Sequence, residues 1–255
     1  MKTFKPRKYL IVGCGGVASY FAYPFAKYLK HSNSDKYATA PKIVFMDGDT
    51  LEHKNLARQN FQDSGVGASK AEILAIDTKK FYPSDRVSHN INYFTPANGL
   101  VDSNTLVFCF CDNHLARKHV IEEVSESGGA VIIAANSEFS AQAYIYFQDW
   151  EGKTQDPTLR YEEILTDNTG SPLSHAYGCQ SDVVLDNSPQ TSMANHIAAS
   201  LAMNLYNFWF VEVPKMSKED IDSLWKKFPI EFFMGPSGAG RLTTEDAALM
   251  LQNKH

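Results

Sequence analysis

The chain has few cysteines, no long apolar run and no basic cluster, and each shortage excludes a class of protein. Four cysteines among 255 residues are too few for the disulfide framework of a secreted scaffold. No apolar run approaches the roughly 18 to 20 residues that cross a bilayer. The first residues, MKTFKPRKYLIVGCGG, also lack the small-residue cleavage pattern of a signal peptide. We therefore expect a cytoplasmic protein that does not bind a membrane.

The charge balance argues against a nucleic-acid partner. The net charge is -5, and the run of clustered Lys and Arg that phosphate backbones require does not occur. Hydrophobic residues make up 44% and charged residues 21% of the chain, which is ordinary for a globular protein. We therefore expect a folded domain that acts on partners other than DNA or RNA.

Three of the four cysteines lie within apolar runs, which indicates buried, reduced thiols. These are Cys14, Cys109 and Cys111. Cys109 and Cys111 form a C-x-C pair, and a structural zinc site would normally need a second pair of ligands. We expect no zinc.

Strand-like and helical segments alternate along the first 150 residues. Apolar runs predict strands at 8–13, 42–47, 86–92, 105–112 and 130–136, and an alternating pattern predicts an antiparallel strand at 140–149. Helical patterns follow Gly16 and occupy 67–82 and 113–128; Pro24 should kink the first helix or remove one of its hydrogen bonds. This alternation predicts a doubly wound, mostly parallel, Rossmann-like α/β sheet with an antiparallel extension.

The remainder of the chain predicts one domain, 1–255, with three parts. We expect a nucleotide-binding core over 1–148 and an irregular crossover or active-site loop over 149–188, where polar residues, Gly and Pro dominate. A helical C-terminal part follows over 189–255. It is predicted to contain helices at 188–210 and 217–228, a strand IEFFM, and a last helix after Thr244.

A glycine-rich turn follows the first predicted strand. Gly13, Gly15 and Gly16 lie in GCGGVA, between that strand and a helix, so backbone N–H groups and the positive helix end would face a phosphate. Glycines also serve tight packing in many α/β proteins. Nucleotide binding is the favoured interpretation because of the surrounding pattern.

Two aspartates, in DGD, stand at the end of the second predicted strand, which Asp47 closes. Asp47 stands where an acidic residue can accept hydrogen bonds from ribose hydroxyls, and Asp49 lies two residues further on. If the polar insertion 31–41 is set aside, the spacing from Gly13 is close to the roughly 20 residues of a dinucleotide fold. An NAD(P)-dependent oxidoreductase fits this much of the sequence equally well.

The next motif, N-x-x-R-Q, separates the two interpretations. Asn55, Arg58 and Gln59 come directly after the aspartates. Hydride transfer develops no phosphate charge, whereas phosphoryl or nucleotidyl transfer does, and a guanidinium suits phosphate oxygens. Arg58 is the candidate clamp. Asn55 and Gln59 are candidates to orient phosphates, or alternatively to make turn hydrogen bonds.

Three further polar residues lie near predicted strand ends or helix starts. Lys70 begins the helix after GVGAS, on the phosphate side, although a solvated surface lysine is the commoner case. Asp112 and Asn113 lie at the carboxyl end of the fourth predicted strand, the edge where ligands bind in open α/β sheets. Asp112 is a candidate Mg²⁺ ligand; alternatively it caps the helix that begins at Asn113.

In order, G-x-G-G, D-G-D, N-L-A-R-Q, GASKA and C-D-N resemble the ThiF/MoeB family of adenylating enzymes, which includes the adenylation domains of ubiquitin-activating enzymes. The resemblance covers about 8 to 148 and extends to 210 through the later helix. It implies ATP, with Gly16 near the phosphates and Asp47 on the ribose. It also implies that Asn55, Arg58 and Lys70 contact the triphosphate, while Asp112 serves Mg²⁺.

The resemblance also implies a reaction and partners. The carboxylate at the C-terminus of a ubiquitin-like protein, a sulfur-carrier protein or a peptide would attack ATP, giving an acyl adenylate and pyrophosphate. A homodimer is expected by the same analogy, with helix 188–210 as one possible interface. Its apolar stripe consists of Met193, Ile197, Leu201, Leu205 and Trp209. Alternatively, that stripe packs on the protein's own sheet.

Three departures from the family pattern limit the resemblance. Ala18 stands where a last glycine is usual, and the paired C-x-x-C zinc ligands are missing. Cys179 is the one counterpart of the cysteine that accepts the acyl group in some members, and an incidental role is the alternative. Two other functions remain open from the sequence: an NAD(P)-dependent oxidoreductase, and a non-catalytic nucleotide-binding subunit that pairs with an active partner.

Overall fold

The computed structural model describes residues 4–32, 40–96, 99–137, 139–166 and 191–253. Apolar runs in this part of the chain form one eight-stranded sheet. Its strands are Lys8–Val12 (β1), Lys42–Met46 (β2), Val87–Asn90 (β3), Thr105–Cys109 (β4), Ala130–Asn136 (β5), Ala141–Phe147 (β6), Pro229–Gly235 (β7) and Gly238–Thr243 (β8).

The strand order is β3-β2-β1-β4-β5-β6-β7-β8. The first five strands in that order pair in parallel, and β6, β7 and β8 are added antiparallel. The chain runs outward from β1 to β3 and then returns to place β4 on the other side of β1. The predicted doubly wound, mostly parallel sheet with an antiparallel extension is therefore confirmed.

Helices connect these strands, and side-chain caps mark where several of them begin. They are Gly16–Ser32 (α1), Lys70–Lys79 (α2), His114–Ser127 (α3), Pro157–Arg160 (α4), Glu163–Thr166 (α5), Ser192–Asn207 (α6), Lys218–Leu224 (α7) and Thr244–Gln252 (α8). Ser69, Asn113, Thr191 and Thr243 each accept a hydrogen bond from a backbone N–H in the first turn of the helix they precede. Such caps stabilise a helix start by about 1 kcal/mol each.

Alternation along β4 places helices on both faces of the sheet. Phe108 packs against Phe25 of α1 and Tyr206 of α6, whereas the neighbouring Cys109 faces the side on which Arg117 of α3 lies. Successive side chains of a strand point to opposite faces, so α1 and α6 cover one face and α3 the other. β1, β4 and β5 are buried almost throughout, as parallel strands covered on both sides should be.

Several predicted bounds differ from the structure. α2 covers 70–79 rather than 67–82, and Ile76 on it is exposed because Ala71, Leu74 and Ala75 face the core. α1 continues through Pro24, whose ring lies on the exposed side of the helix. β4 ends at Cys109, three residues before the predicted end.

The predicted irregular and C-terminal segments contain more regular structure than expected. Short helices α4 and α5 lie within the described part of 149–188, and the rest of that segment falls outside the described residues. In the C-terminal part, β8 was not predicted; it pairs with β7 and adds an edge strand.

The apolar stripe on α6 mostly packs on the protein's own fold. Leu201, Leu205 and Trp209 are buried, and α6 contacts α1 together with β5, β6 and β7. Met193 is exposed, so the stripe does not reach the first turn of the helix. No helix in the described ranges is both long and apolar enough to cross a membrane.

Candidate functional site

The parallel strands bring three loops together at one edge of the sheet. In the register of the sheet, Val12 at the end of β1 is level with Met46 of β2 and Cys109 of β4. The glycine turn, the DGD turn and the segment after β4 therefore leave the sheet side by side. The chain order reverses between β1 and β4, and in open α/β sheets ligands bind in the crevice at such a point.

The glycine turn is shaped by its neighbours. Gly13 has φ +84°, and a Cβ there would lie 3.0 Å from the backbone carbon of Phe110. Its N–H donates to the carbonyl of Met46 at 3.0 Å, which fixes the turn to the end of β2. The N–H groups of the first turn of α1 follow at once, and they have no partner within the helix.

Asp47 joins the glycine turn to the DGD turn. One carboxylate oxygen accepts the N–H of Cys14 at 2.5 Å, and the other accepts the N–H of Asp49 at 2.8 Å. Burial raises the pKa of Asp47 to about 6; Asp49 adds to the shift, while Lys70 and the two N–H donors oppose it. Asp47 is therefore a buried acceptor at the predicted ribose position.

Asp49 and Lys70 form an ion pair at the start of α2. Lys70 Nζ lies 3.0 Å from Asp49 Oδ2, and the ammonium side chain is almost fully buried. The hydroxyl of Tyr93 donates to the other oxygen of Asp49 at 2.5 Å. Burial raises the pKa of the Tyr93 phenol, and this hydrogen bond raises it further. The alternative of a solvated surface lysine is therefore wrong, because Lys70 is buried beside a carboxylate.

Asn55 builds the turn that carries Arg58 and Gln59. Its side-chain oxygen accepts the N–H of Glu52 at 3.1 Å. Its backbone carbonyl accepts the N–H groups of Arg58 and Gln59 at 3.1 and 2.9 Å. Asn55 therefore makes turn hydrogen bonds, as in the alternative given above for this residue. The turn that it closes is buried and carries Arg58 and Gln59.

Gln59 faces the glycine turn with an amide that has no hydrogen-bond partner among the described residues. The side chain is 3% exposed, and neither Nε2 nor Oε1 is satisfied. A Cβ placed on Gly15 would lie 3.7 Å from Nε2. A buried amide left unpaired costs about 1 to 3 kcal/mol, so this one indicates a site that a polar ligand completes.

Asp112 and Asn113, which lie between β4 and α3, divide the predicted roles. Asn113 is the N-cap of α3, accepting the N–H of Ala116 at 2.8 Å. The alternative in which Asp112 caps this helix is wrong, because Asn113 does so. Asp112 is exposed, two residues beyond the N–H of Phe110 that donates to Val12. Asp112 is thus an exposed residue between β4 and α3 that does not serve as the N-cap.

Two residues that sequence reasoning missed hold the Arg58 loop. Asn195 Nδ2 on α6 donates to the carbonyl of Arg58 at 3.0 Å, and Ser19 Oγ on α1 accepts the N–H of Asn60 at 2.9 Å. A lone asparagine between small apolar residues in MANHIAAS was the available signal for Asn195. Ser19 carried no distinguishing pattern.

This geometry agrees with a comparison against known protein families. A sequence model of the ThiF family matches residues 1–207. The chain belongs to the ThiF family. The predicted recognition of the family is confirmed, and its match includes the glycine turn, the N-x-x-R-Q loop and Asn195.

Individual relatives of this ThiF-family chain are distant. The chain is 27% identical over 144 residues to the adenylyltransferase and sulfurtransferase UBA4 of Yarrowia lipolytica, a match to 56% of this chain and 34% of that protein. Among solved structures, E. coli MccB with ATP superposes with a TM-score of 0.58 at 17% identity, covering 95% of this chain and 65% of MccB. Selenomethionine PaaA gives a TM-score of 0.58 at 14% identity, covering 93% of this chain and 64% of PaaA.

The chain thus spans about a third of its curated relative and just under two thirds of these solved structures. At these identities the solved structures establish the shared fold of the ThiF-family chain. A further MccB structure is described as holding AMPCPP and MccA, at 18% identity and a TM-score of 0.57.

Of the cysteines that the structure describes in this ThiF-family chain, Cys14 and Cys109 are buried and Cys111 is partly buried. Cys14, Cys109 and Cys111 are free thiols, and a hydrogen bond with Cys109 together with burial raises the pKa of Cys111. Cys179, the predicted acyl acceptor, lies outside the described residues. Over those same residues, no three His, Cys, Asp or Glu side chains group as a metal site.

Proposed function

We propose that this ThiF-family chain is an adenylyltransferase that binds ATP at the crevice between β1 and β4 and activates a carboxylate of a protein or peptide. The observation that carries the proposal is the buried Arg58–Gln59 loop, which faces the glycine turn with an unsatisfied amide. A guanidinium and an amide beside helix N–H groups are suited to phosphate oxygens.

The residues at the crevice fit ATP in their chemistry. The N–H groups of the first turn of α1, with Gly15 and Gly16, would receive phosphate oxygens, and Gln59 would gain the partner that it lacks. Asp47 accepts hydrogen bonds, as a ribose-binding residue must. Lys70 brings positive charge to the same edge while paired with Asp49. Asn55 would support triphosphate binding indirectly, by closing the turn that carries Arg58 and Gln59. Gly13 would support it by adopting the backbone conformation that the glycine turn requires.

The proposed chemistry is nucleotidyl transfer. A carboxylate oxygen of the partner forms a bond to the α-phosphorus of ATP, and the bond from that phosphorus to the bridging oxygen breaks. The electron pair leaves with pyrophosphate, and the product is an acyl adenylate. Negative charge shifts onto the leaving group, so Arg58 is worth most in the transition state, where fixed donors stabilise developing charge.

Mg²⁺ is expected with the nucleotide, and Asp112 is the residue proposed to hold it. Magnesium in such sites uses one or two protein carboxylates and completes its shell with substrate phosphates and water. A single exposed carboxylate between β4 and α3 fits that donor set. When bound, the ion would neutralise charge on the triphosphate.

The partner is proposed to be a ubiquitin-like protein, a sulfur-carrier protein or a peptide that offers a C-terminal carboxylate. Support comes from UBA4, which is named as an adenylyltransferase and sulfurtransferase, and from MccB, which was crystallised with AMPCPP and MccA. A homodimer, a single domain over 1–255 and a cytoplasmic location belong to the same proposal. So does Cys179 as a candidate acyl acceptor.

Pyrophosphate exchange into ATP tests the proposal directly. Labelled pyrophosphate should enter ATP when the protein is given Mg²⁺ and a partner with a free C-terminal carboxylate. The partner's last residues should be Gly-Gly, or its last residue asparagine or glutamine. Arg58→Ala should reduce the exchange rate by about 100- to 1,000-fold, as loss of a transition-state donor does. Arg241→Ala, which removes an exposed arginine on β8, is the matched control and should exchange like the parent.

Two results would contradict the proposal. One is a folded parent protein that exchanges no pyrophosphate with any carboxylate partner tested. The other is an Arg58→Ala protein that exchanges as fast as the Arg241→Ala control. The second result would place the reaction away from the N-x-x-R-Q loop.

A further inference from the structure

Asn195 lies where α6 begins beside the candidate site, and we propose that it is a positioning residue for Arg58 and Gln59. The inference rests on the proposed function. Asn195 is 1% exposed and stands in the first turns of α6, far in sequence from the loop that it contacts. Its Nδ2 donates to the backbone carbonyl of Arg58 at 3.0 Å.

The hydrogen bond from Asn195 is one of two that bracket Gln59. The Arg58 carbonyl precedes Gln59 in the chain, and the Asn60 N–H follows it. That N–H donates to Ser19 Oγ at 2.9 Å, and Ser19 Oγ donates to the carbonyl of Gly16 at 2.7 Å. The backbone is thus fixed on one side to α6 and on the other to α1. The orientation of the unsatisfied Gln59 amide toward Gly15 follows from these two anchors.

Asn195 also shapes the glycine turn itself. A Cβ built on Gly16 would lie 2.4 Å from both Nδ2 and Oδ1 of Asn195, a distance that real Cβ atoms do not adopt. The flat amide therefore occupies the space that a side chain at position 16 would fill. One residue sets both the position of the Arg58 loop and the approach of α6 to the first turn of α1.

The position of Asn195 is itself held along the whole helix pair. Tyr20 and His196 stack with ring centroids 5.2 Å apart near the start, and Tyr28 donates to Asn207 at 3.3 Å near the end. α1 and α6 therefore run parallel, with both N-termini at the candidate site. This packing fixes the Cα of Asn195. The hydrogen bond from Asn195 to the Arg58 carbonyl therefore holds the Arg58 loop in a set position relative to α6.

The test measures ATP binding by the purified chain, which needs no acyl partner. In calorimetry with ATP and Mg²⁺, Asn195→Ala should raise the Kd about tenfold or more, since small displacements of positioned groups are costly. Asn204→Ala removes an exposed asparagine from the same helix and should bind like the parent. Asn195→Leu has nearly the shape of asparagine but carries no donor and no charge, so it fills the same space and covers the case in which the alanine protein does not fold.

A double-substitution cycle separates positioning from a general structural role. Gln59→Ala alone should also raise the Kd of ATP about tenfold, and the protein carrying both Gln59→Ala and Asn195→Ala should lose no more than about threefold beyond Asn195→Ala. Residues that act through one another are non-additive in this way. If Asn195→Ala weakened ATP binding only by a general structural effect, the increases in Kd caused by Asn195→Ala and Gln59→Ala would multiply in the double variant.

The outcomes distinguish the two proposals. If the parent binds ATP and Gln59→Ala weakens binding while Asn195→Ala and Asn195→Leu bind like Asn204→Ala, the role of Asn195 is overturned and the proposed function stands. Fully multiplicative effects of Gln59→Ala and Asn195→Ala overturn it as well. If the folded parent does not bind ATP, the proposed function fails, and the role of Asn195 fails with it.

Discussion

Asp47 combines two properties that oppose each other in a carboxylate. It is buried, which favours the protonated form, and it accepts two backbone N–H groups, which favour the charged form. Burial is the larger effect, and the folded pKa is about 6 against an ordinary value of 3.8. A residue that ties the glycine turn to the DGD turn therefore makes stability depend on pH.

The direction of that dependence follows from proton binding. The folded protein holds the Asp47 proton more tightly than the unfolded chain does, so this contribution is full below pH 3.8 and is lost as the pH rises through about 6. At about 1.4 kcal/mol per pKa unit, the loss is on the order of 3 kcal/mol. Urea unfolding should show the difference in stability between parent and Asp47→Asn falling by roughly that amount from pH 4 to 7. A difference that stays constant over this range would contradict the assignment.

At the scale of elements, a buried ion pair joins α4 to the antiparallel part of the sheet. Arg160 lies 3.6 Å from Glu231 of β7, and both side chains are almost fully buried. The hydroxyl of Tyr161 donates to the other oxygen of Glu231 at 2.5 Å, and Arg160 also donates to the carbonyl of Gln155 at 3.1 Å. Burial raises the pKa of Glu231, and its two partners oppose that shift. The segment before residue 167 is therefore anchored by charge as well as by apolar packing.

Breaking this pair from one side should be costly. Arg160→Met leaves a buried carboxylate without its cation and should reduce the free energy of unfolding by about 3 to 5 kcal/mol. Adding Glu231→Gln removes the remaining charge and should recover more than half of that loss. Lys215→Ala, which breaks the exposed pair with Glu212, should change stability by less than about 1 kcal/mol. If the double substitution proves no more stable than Arg160→Met alone, the loss came from packing rather than from unpaired charge.

Elements governed by local sequence were predicted, and elements governed by distant partners were not. The glycine turn after β1 and the DGD turn after β2 follow from apolar runs that end in turn residues. β8 carries the glycine-rich segment GAGRLT, and its strand conformation depends on pairing with β7. Asn195 was missed for the same reason, because its partner Arg58 is 137 positions away. The burial of Lys70 beside Asp49 was not predicted, since it cannot be read from one turn of helix.

At the scale of the whole molecule, α6 joins the two halves of the sheet. It packs along α1, which covers the parallel strands, and against β5, β6 and β7 at the antiparallel side. Trp209, just beyond α6, is buried and donates to the carbonyl of Pro229 at 2.8 Å, while its ring packs on Trp150. The glycine turn, where α1 begins, and the tryptophans of the antiparallel half are thus parts of one packed body. This packing supports the proposal that 1–255 is a single domain.

That connection predicts one cooperative unfolding transition that ATP shifts as a whole. ATP with Mg²⁺ at 100 times its Kd should raise the free energy of unfolding by about 2.7 kcal/mol, because it binds only the folded state. Tryptophan fluorescence, to which the buried Trp150 and Trp209 contribute, should shift with far-UV circular dichroism to the same new midpoint. NAD at the same concentration should leave both transitions unchanged. A shift with NAD but not with ATP would instead favour an oxidoreductase. If ATP moved only the circular dichroism transition and left tryptophan fluorescence in place, the two halves would unfold separately, and α6 would not couple them.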